Sequence, residues 1–502
     1  MAGSKPHVLR WLRWVDDSKN NIKKIWRKLK ACIRVSPEEP AVARLRTIET
    51  FSPSSSSSLR TLFVQPPLTS ETSLSKATTL RSQLSIETFP VEIHTLILSF
   101  LSYEDLSSLI MASPIHYRVL RSGKKVLWDL ITDSLRDLVP EAQAVYRSGQ
   151  VKSAKARTKE NIAEMVEEYR LSRLLSQEPP PRTTASTLNE LSRILRFHYT
   201  VILPLVPRFT AWMHGNLPKE AELGLIQLTS PSQPKISPTE ESRIIRALYR
   251  FQLCCHLFGN RDDDRPWGND YDMTGYLDIL QHLEATFYAW EIEEILCVYT
   301  FVQDLYPDIF DEARVGLDPM DFEMESKGKF RFYLMTCFYL EGTTAQGLWL
   351  LHKALREMED KEHHAQLVEI MRERLTPESG FIGPQEVTSH IWFWNRLNEH
   401  GLTEKDLRSQ AHEAFPFRGD HVPDPKGEFP PRAWTLMWHD TYSNLYGEWI
   451  PWELRSWGYV FWDAGRMETE AKEVLLWRWE RSFDEDWDPR DEYDLADVRA
   501  IR

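Results

Sequence analysis

Cys254-Cys255-His256 and His363-His364 bring metal-ligating side chains together along this 502-residue chain. A zinc site needs spaced pairs, because its ligands must converge on one ion from different turns. Adjacent residues on a helix point to different faces, so neither run closes a site by itself. Asp262-Asp263-Asp264 starts like a calcium loop, but Arg265 and Pro266 stand where oxygen ligands are required. Those acids read as a surface loop; the alternative is a helical enzyme whose acids meet a ligand only in the fold. Glycine-rich phosphate and dinucleotide loops, the Gly-x-Ser-x-Gly elbow and the His-Glu-x-x-His motif do not occur. The expectation is therefore a protein that is not an enzyme, with no catalytic residue, cofactor or metal.

Recognition is the other chemistry that side chains supply, and tryptophan supplies it best. Eleven of the 19 tryptophans follow Gly380: Trp392, Trp394, Trp434, Trp438, Trp449, Trp452, Trp457, Trp462, Trp477, Trp479 and Trp487. Trp457, Trp462, Trp477 and Trp479 stand near Arg455, Arg466, Arg478 and Arg481. These rings form either a surface that recognises a target protein or the core of a C-terminal subdomain. Only the partly exposed ones are candidates for recognition, and the substrate-binding residues stay unknown.

The elements that must hold such residues are helices. In Leu84–Trp128, Pro90 suits a first helical position. The apolar residues of Pro90–Leu101 project over an arc of about 220°, where a single core needs about 100°. The excess predicts two contacts, one with the chain's own core and one with a partner. Ser102 and Asp105 resemble a capping box for a second helix, carrying Leu106, Leu109 and Ile110. Pro114 ends it, and a third, less regular segment runs from Ile115 to Trp128.

This stretch resembles the F-box in its fungal F-box-like form. The family pattern falls on Phe89-Pro90-Val91-Glu92-Ile93, Ile97-Leu98-Ser99-Phe100-Leu101, Asp105-Leu106 and Leu127-Trp128, with Phe89 in place of the usual leucine. The resemblance implies a three-helix module that docks on the Skp-type adaptor of cullin-RING ubiquitin ligases. It would place the adaptor-facing positions on Phe89, Pro90, Ile93, Ile97, Leu98, Leu101, Leu106 and Leu109. An ordinary helical hairpin in a larger core is the alternative. Arg246–Gly259 and Ser456–Asp463 also resemble segments of fungal F-box-like proteins that carry no assigned activity.

The domain organisation follows. Residues 1–82 are a basic arm and a Ser/Pro-rich linker, expected to be disordered because they have little to bury. Residues 84–130 are the F-box-like module. Residues 131–184 are a helical connector with a Pro-rich break, and 185–502 are a helical, Trp-rich region for binding a target. Helices are expected over 150–176, 273–304, 330–374 and 385–400. Ser237-Pro238-Thr239-Glu240 reads as a capping box that starts a helix with Ile244, Leu248, Phe251, Cys255 and Phe258 on one stripe, and Gly259 as its C-cap. Strand signals are scarce, so the fold class is mainly α.

Charge sets further bounds. The whole chain carries a net −13, with +9 in residues 1–85 and −22 in the rest. An acidic body argues against nucleic-acid binding by bulk charge. The arm interleaves Trp11, Trp14, Ile22, Ile25, Trp26, Leu29 and Ile33 with lysine and arginine, so a basic amphipathic helix or a mobile tail is open there. No run of apolar residues reaches the length of a membrane span. Five cysteines without paired spacing and the absence of an Asn-x-Ser/Thr sequon point to cytoplasm or nucleus. The functional expectation is a non-catalytic substrate receptor, bound to a Skp-type adaptor, through it to a cullin, and to an unknown target. An F-box protein working outside a ligase is the alternative.

Overall fold

The structure, a computed structural model, describes residues 89–150, 158–175, 187–228, 236–259, 285–313, 339–374, 401–421, 424, 427–483 and 488–490. All belong to one compact unit, Arg60–Arg502. The basic arm, the Ser/Pro-rich linker, Asp262–Asp264 and the helix expected over 385–400 lie outside the described residues. Among those described the architecture is helical, with one isolated antiparallel bridge between Ala414 and Thr441. No described helix is long and apolar enough to cross a membrane.

The first layer is four helices: α1 (Val91–Ser99), α2 (Tyr103–Ala112), α3 (Pro114–Ser122) and α4 (Lys125–Leu135). Ser102 caps α2 by accepting the Asp105 N–H at 3.2 Å. Pro114 opens α3, where its missing N–H costs nothing. The segment expected to be irregular thus forms two helices, and a boundary at residue 130 would fall inside α4. The expected connector is helical where it is described. Its helix α5 (Val139–Ser148) packs on the central helix of the body, and α6 (Lys159–Leu175) packs on α5. The body continues with α7 (Leu188–Phe197) and α8 (Leu203–Leu223). Between them His198–Ile202 makes a π turn in which Leu203 N–H donates to His198 O. Pro204 and Pro207 remove two donors from that stretch, which explains the loosened winding.

Two helices form the axis: α9 (Pro238–Phe258) and α10 (Ala289–Ala313). Both halves of the capping box are present at the start of α9, Ser237 Oγ accepting from Glu240 N–H at 3.2 Å and Ser237 N–H donating to Glu240 Oε2 at 2.8 Å. Gly259 ends it without using glycine's left-handed freedom, since its φ is −67°. Glycine is needed there because a Cβ would collide with the carbonyl oxygens of Cys255 and Ala345. Every residue from Arg243 to Cys255 is buried, so this span of α9 has no solvent face. Its charges are matched across the core: Arg250 Nη1 lies 2.7 Å from Glu291 Oε1, and Arg246 Nη2 lies 2.7 Å from Glu294 Oε1. Arg173 of α6 reaches Glu291 Oε1 at 2.7 Å, while Glu141 of α5 takes Arg250 Nη2 at 3.2 Å and the Tyr169 hydroxyl at 3.1 Å. Three guanidiniums meet three carboxylates, so the buried charge closes on itself.

The stretch expected to be helical over 330–374 is interrupted: α11 (Leu348–Glu359) and α12 (His364–Arg374) are separated by a short 3-10 turn after Asp360. Gly347 precedes α11 at φ +83°, which suits glycine. The C-terminal part adds α13 (Glu404–Gln410), α14 (Arg432–Met437), α15 (Trp452–Arg455) and α16 (Lys472–Arg481). The turn Tyr459–Phe461 packs on both α9 and α10. The two stretches Arg246–Gly259 and Ser456–Asp463 therefore meet in the centre of the body.

Candidate functional site

α1 carries two apolar arcs. His94, Ile97, Leu98 and Leu101 span about 100° of its projection and are buried. They face α3 and α4, with which α1 packs. His94 Nδ1 and His116 Nε2 lie 3.1 Å apart, so one ring donates to the other and ties α1 to α3. Next to this arc, with its centre about 120° further round the helix, Ile93, Leu96 and Phe100 span about 60°. Ile93 is half-buried, Leu96 is 44% exposed and Phe100 is 67% exposed. Phe89, half-buried, precedes the stripe, whereas the exposed Val91 lies on the far side of the buried arc, beside Leu98.

The residues expected to face an adaptor divide between these arcs. Pro90 is exposed, and Phe89, Ile93 and Leu109 are half-buried. Ile97, Leu98, Leu101 and Leu106 are buried within the chain's own core. Their side chains are occupied in the module itself and offer no surface. Sequence reasoning passed over Leu96 and Phe100 as docking residues, although both were in the apolar arc. The signal that could have found them is their place, nearly opposite Leu98 on the projection.

The module packs directly on the body. Tyr103 at the start of α2 stacks on Tyr199 of the π turn, with ring centroids 4.4 Å apart and planes within 6°. The Tyr199 hydroxyl shares a 2.8 Å hydrogen bond with Ser134 of α4. A cavity of about 210 Å³ lies beside this contact, walled by Leu106, Ile110, Leu120, Leu127 and Leu195.

The groups considered for metal or nucleophilic chemistry are held in structural roles. Cys254 and Cys255 are buried, and burial pushes the Cys254 thiol up to about 12 and the Cys255 thiol well above its ordinary value, away from a ligating thiolate. His256 meets Ser148 Oγ at 3.0 Å through Nδ1 and Gln252 Nε2 at 2.9 Å through Nε2. An amide donor on Nε2 leaves the proton on Nδ1, so this imidazole cannot take one from Ser148. His363 bonds Glu357 at 2.9 Å and His364 lies 3.6 Å from Glu312, so the pair diverges. Among the described residues no three His, Cys, Asp or Glu side chains converge on a point.

The tryptophans separate sharply. Trp434, Trp438, Trp449, Trp457, Trp462 and Trp479 are buried and form the aromatic core of the C-terminal part. Trp477 is half-buried under Arg478, whose guanidinium stands 4.7 Å from the ring centroid. Trp452 is 66% exposed. Trp392, Trp394 and Trp487 lie outside the described residues.

No family model, curated protein or solved structure matches this chain.

Proposed function

We propose that the chain is a non-catalytic substrate receptor of a cullin-RING ubiquitin ligase. In this reading α1–α3 act as an F-box that docks on a Skp-type adaptor, and the helical body binds a target protein. The observation that carries it is the second apolar arc of α1: Leu96 and Phe100 are exposed and Ile93 is half-buried, on a face turned about 120° from the buried arc. An exposed apolar stripe on a helix that already has a core is the mark of a docking surface. Phe89 and Pro90 of the F-box pattern continue that surface. The stacked joint between Tyr103 and Tyr199 supports the same role. A receptor must hold its target at a fixed place relative to the ubiquitin-charged enzyme, and a rigid joint keeps that geometry.

Tagged protein purified from cells should bring down both the adaptor and a cullin. The adaptor without any cullin would mean an F-box protein acting outside a ligase. Capture of neither protein would contradict the proposal.

A further inference from the structure

A large hollow lies far from α1 in sequence, where α10, α15 and α16 meet. It is a cleft of about 770 Å³, bordered by Tyr299, Gln303 and Asp304 of α10, by Trp452 and Glu453 of α15, and by Arg478 and Arg481 of α16. That volume is in the range of sites that bury most of a ligand. Two of its arginines are held by carboxylates behind the wall. Arg455 lies 2.8 Å from Glu293 Oε2, and Arg478 pairs with Glu220. Adding Asp304, Glu448 and Glu453, the cleft and its backing set five carboxylates against three guanidiniums. Arg481 is the exposed cation, whereas Asp304 and Glu448 are exposed anions. Trp452 stands at the rim with two-thirds of its surface in solvent, although the six tryptophans of the surrounding core are buried.

We propose that this cleft binds a basic peptide segment bearing an apolar side chain. The indole of Trp452 would cover the apolar side chain and offer its face to a lysine or arginine, while Asp304, which accepts from Trp212 Nε1 at 2.9 Å, and Glu448 complement the remaining cations; Glu453 already faces Arg478 at 3.7 Å. The net −22 of residues 86–502 favours the encounter with a cationic partner. As the place where the receptor holds its target, the cleft rests on the function proposed above; peptide binding itself does not require the adaptor.

Fluorescence polarisation with a labelled nine-residue peptide alternating lysine and leucine tests this on the full chain without adaptor. Its counterpart with glutamate for lysine is the control. The lysine peptide should bind at low salt and the glutamate peptide should not. Trp452→Ala should weaken binding at least tenfold, and Asp304→Asn should weaken it and flatten its salt dependence. Both side chains are exposed, so melting temperatures should match the parent chain. Equal binding of the two peptides, or unchanged affinity in Trp452→Ala, would overturn the inference. A chain that binds the lysine peptide but captures no adaptor supports this site and contradicts the receptor reading alone.

Discussion

Arg250 is fully buried on a helix that amphipathic logic would turn toward solvent, and its neighbours explain why. Arg246 and Arg250 lie off the stripe of Ile244, Leu248, Phe251, Cys255 and Phe258, and their partners Glu294 and Glu291 lie more than forty residues away. Pairing over that distance leaves no local signal. The same neighbourhoods fix how stability responds to acid. Burial lowers His198 to about 4, and burial together with the charge of Arg466 lowers His214 to about 4. Unfolded, both imidazoles take up protons near pH 6.5. Between pH 6.5 and 4 the unfolded chain therefore binds more protons, and stability falls as pH drops through that window. Burial would raise Glu291, but Arg173, Arg250 and Arg246 overcome it and hold the carboxyl at about 2. Its stabilising charge is kept above about pH 4.5 and lost as pH falls toward 2. Melting temperature against pH should show both limbs. Replacing His198 and His214 together by glutamine should flatten the upper limb and spare the lower; an unchanged upper limb would contradict this assignment.

At the scale of elements, caps and periodicity were legible and the direction of each face was not. Ser102, Pro114 and the Ser237–Glu240 box mark helix starts because a capping side chain acts within four residues of itself. The apolar arc of α1 was also legible, and so was its excess width. Which part of it faces inward depends on α3 and α4, which the α1 residues cannot report. Ile97, Leu98 and Leu101, assigned outward by resemblance, are core. The consequence is testable by melting. Ile97→Asp buries a carboxylate without a partner and should cost about 3 kcal/mol or more, unfolding the module. Phe100→Asp places its charge in solvent and should leave the melting temperature nearly unchanged. Equal melting of the two variants would contradict the assigned faces.

Across the whole molecule, the expected module, connector and receptor region pack on one another: α4 on α7, α5 on α9, and Tyr103 on Tyr199. The mainly α class was legible from scarce strand signals, whereas this continuity was not, because Glu141 and Tyr169 show their roles only beside Arg250. Joined in this way, the α1 stripe and the Trp452 cleft are carried by one frame, as a receptor linking two proteins requires. The central claim is that the exposed arc of α1, and not the buried one, holds the adaptor. Isothermal titration of a Skp-type adaptor into the parent chain and into the Leu96→Asp, Phe100→Asp double variant measures it directly. The parent should bind, and the double variant should melt with the parent yet show no measurable binding. A double variant that is folded and binds with the parent's affinity, or a folded parent that does not bind, would contradict the account.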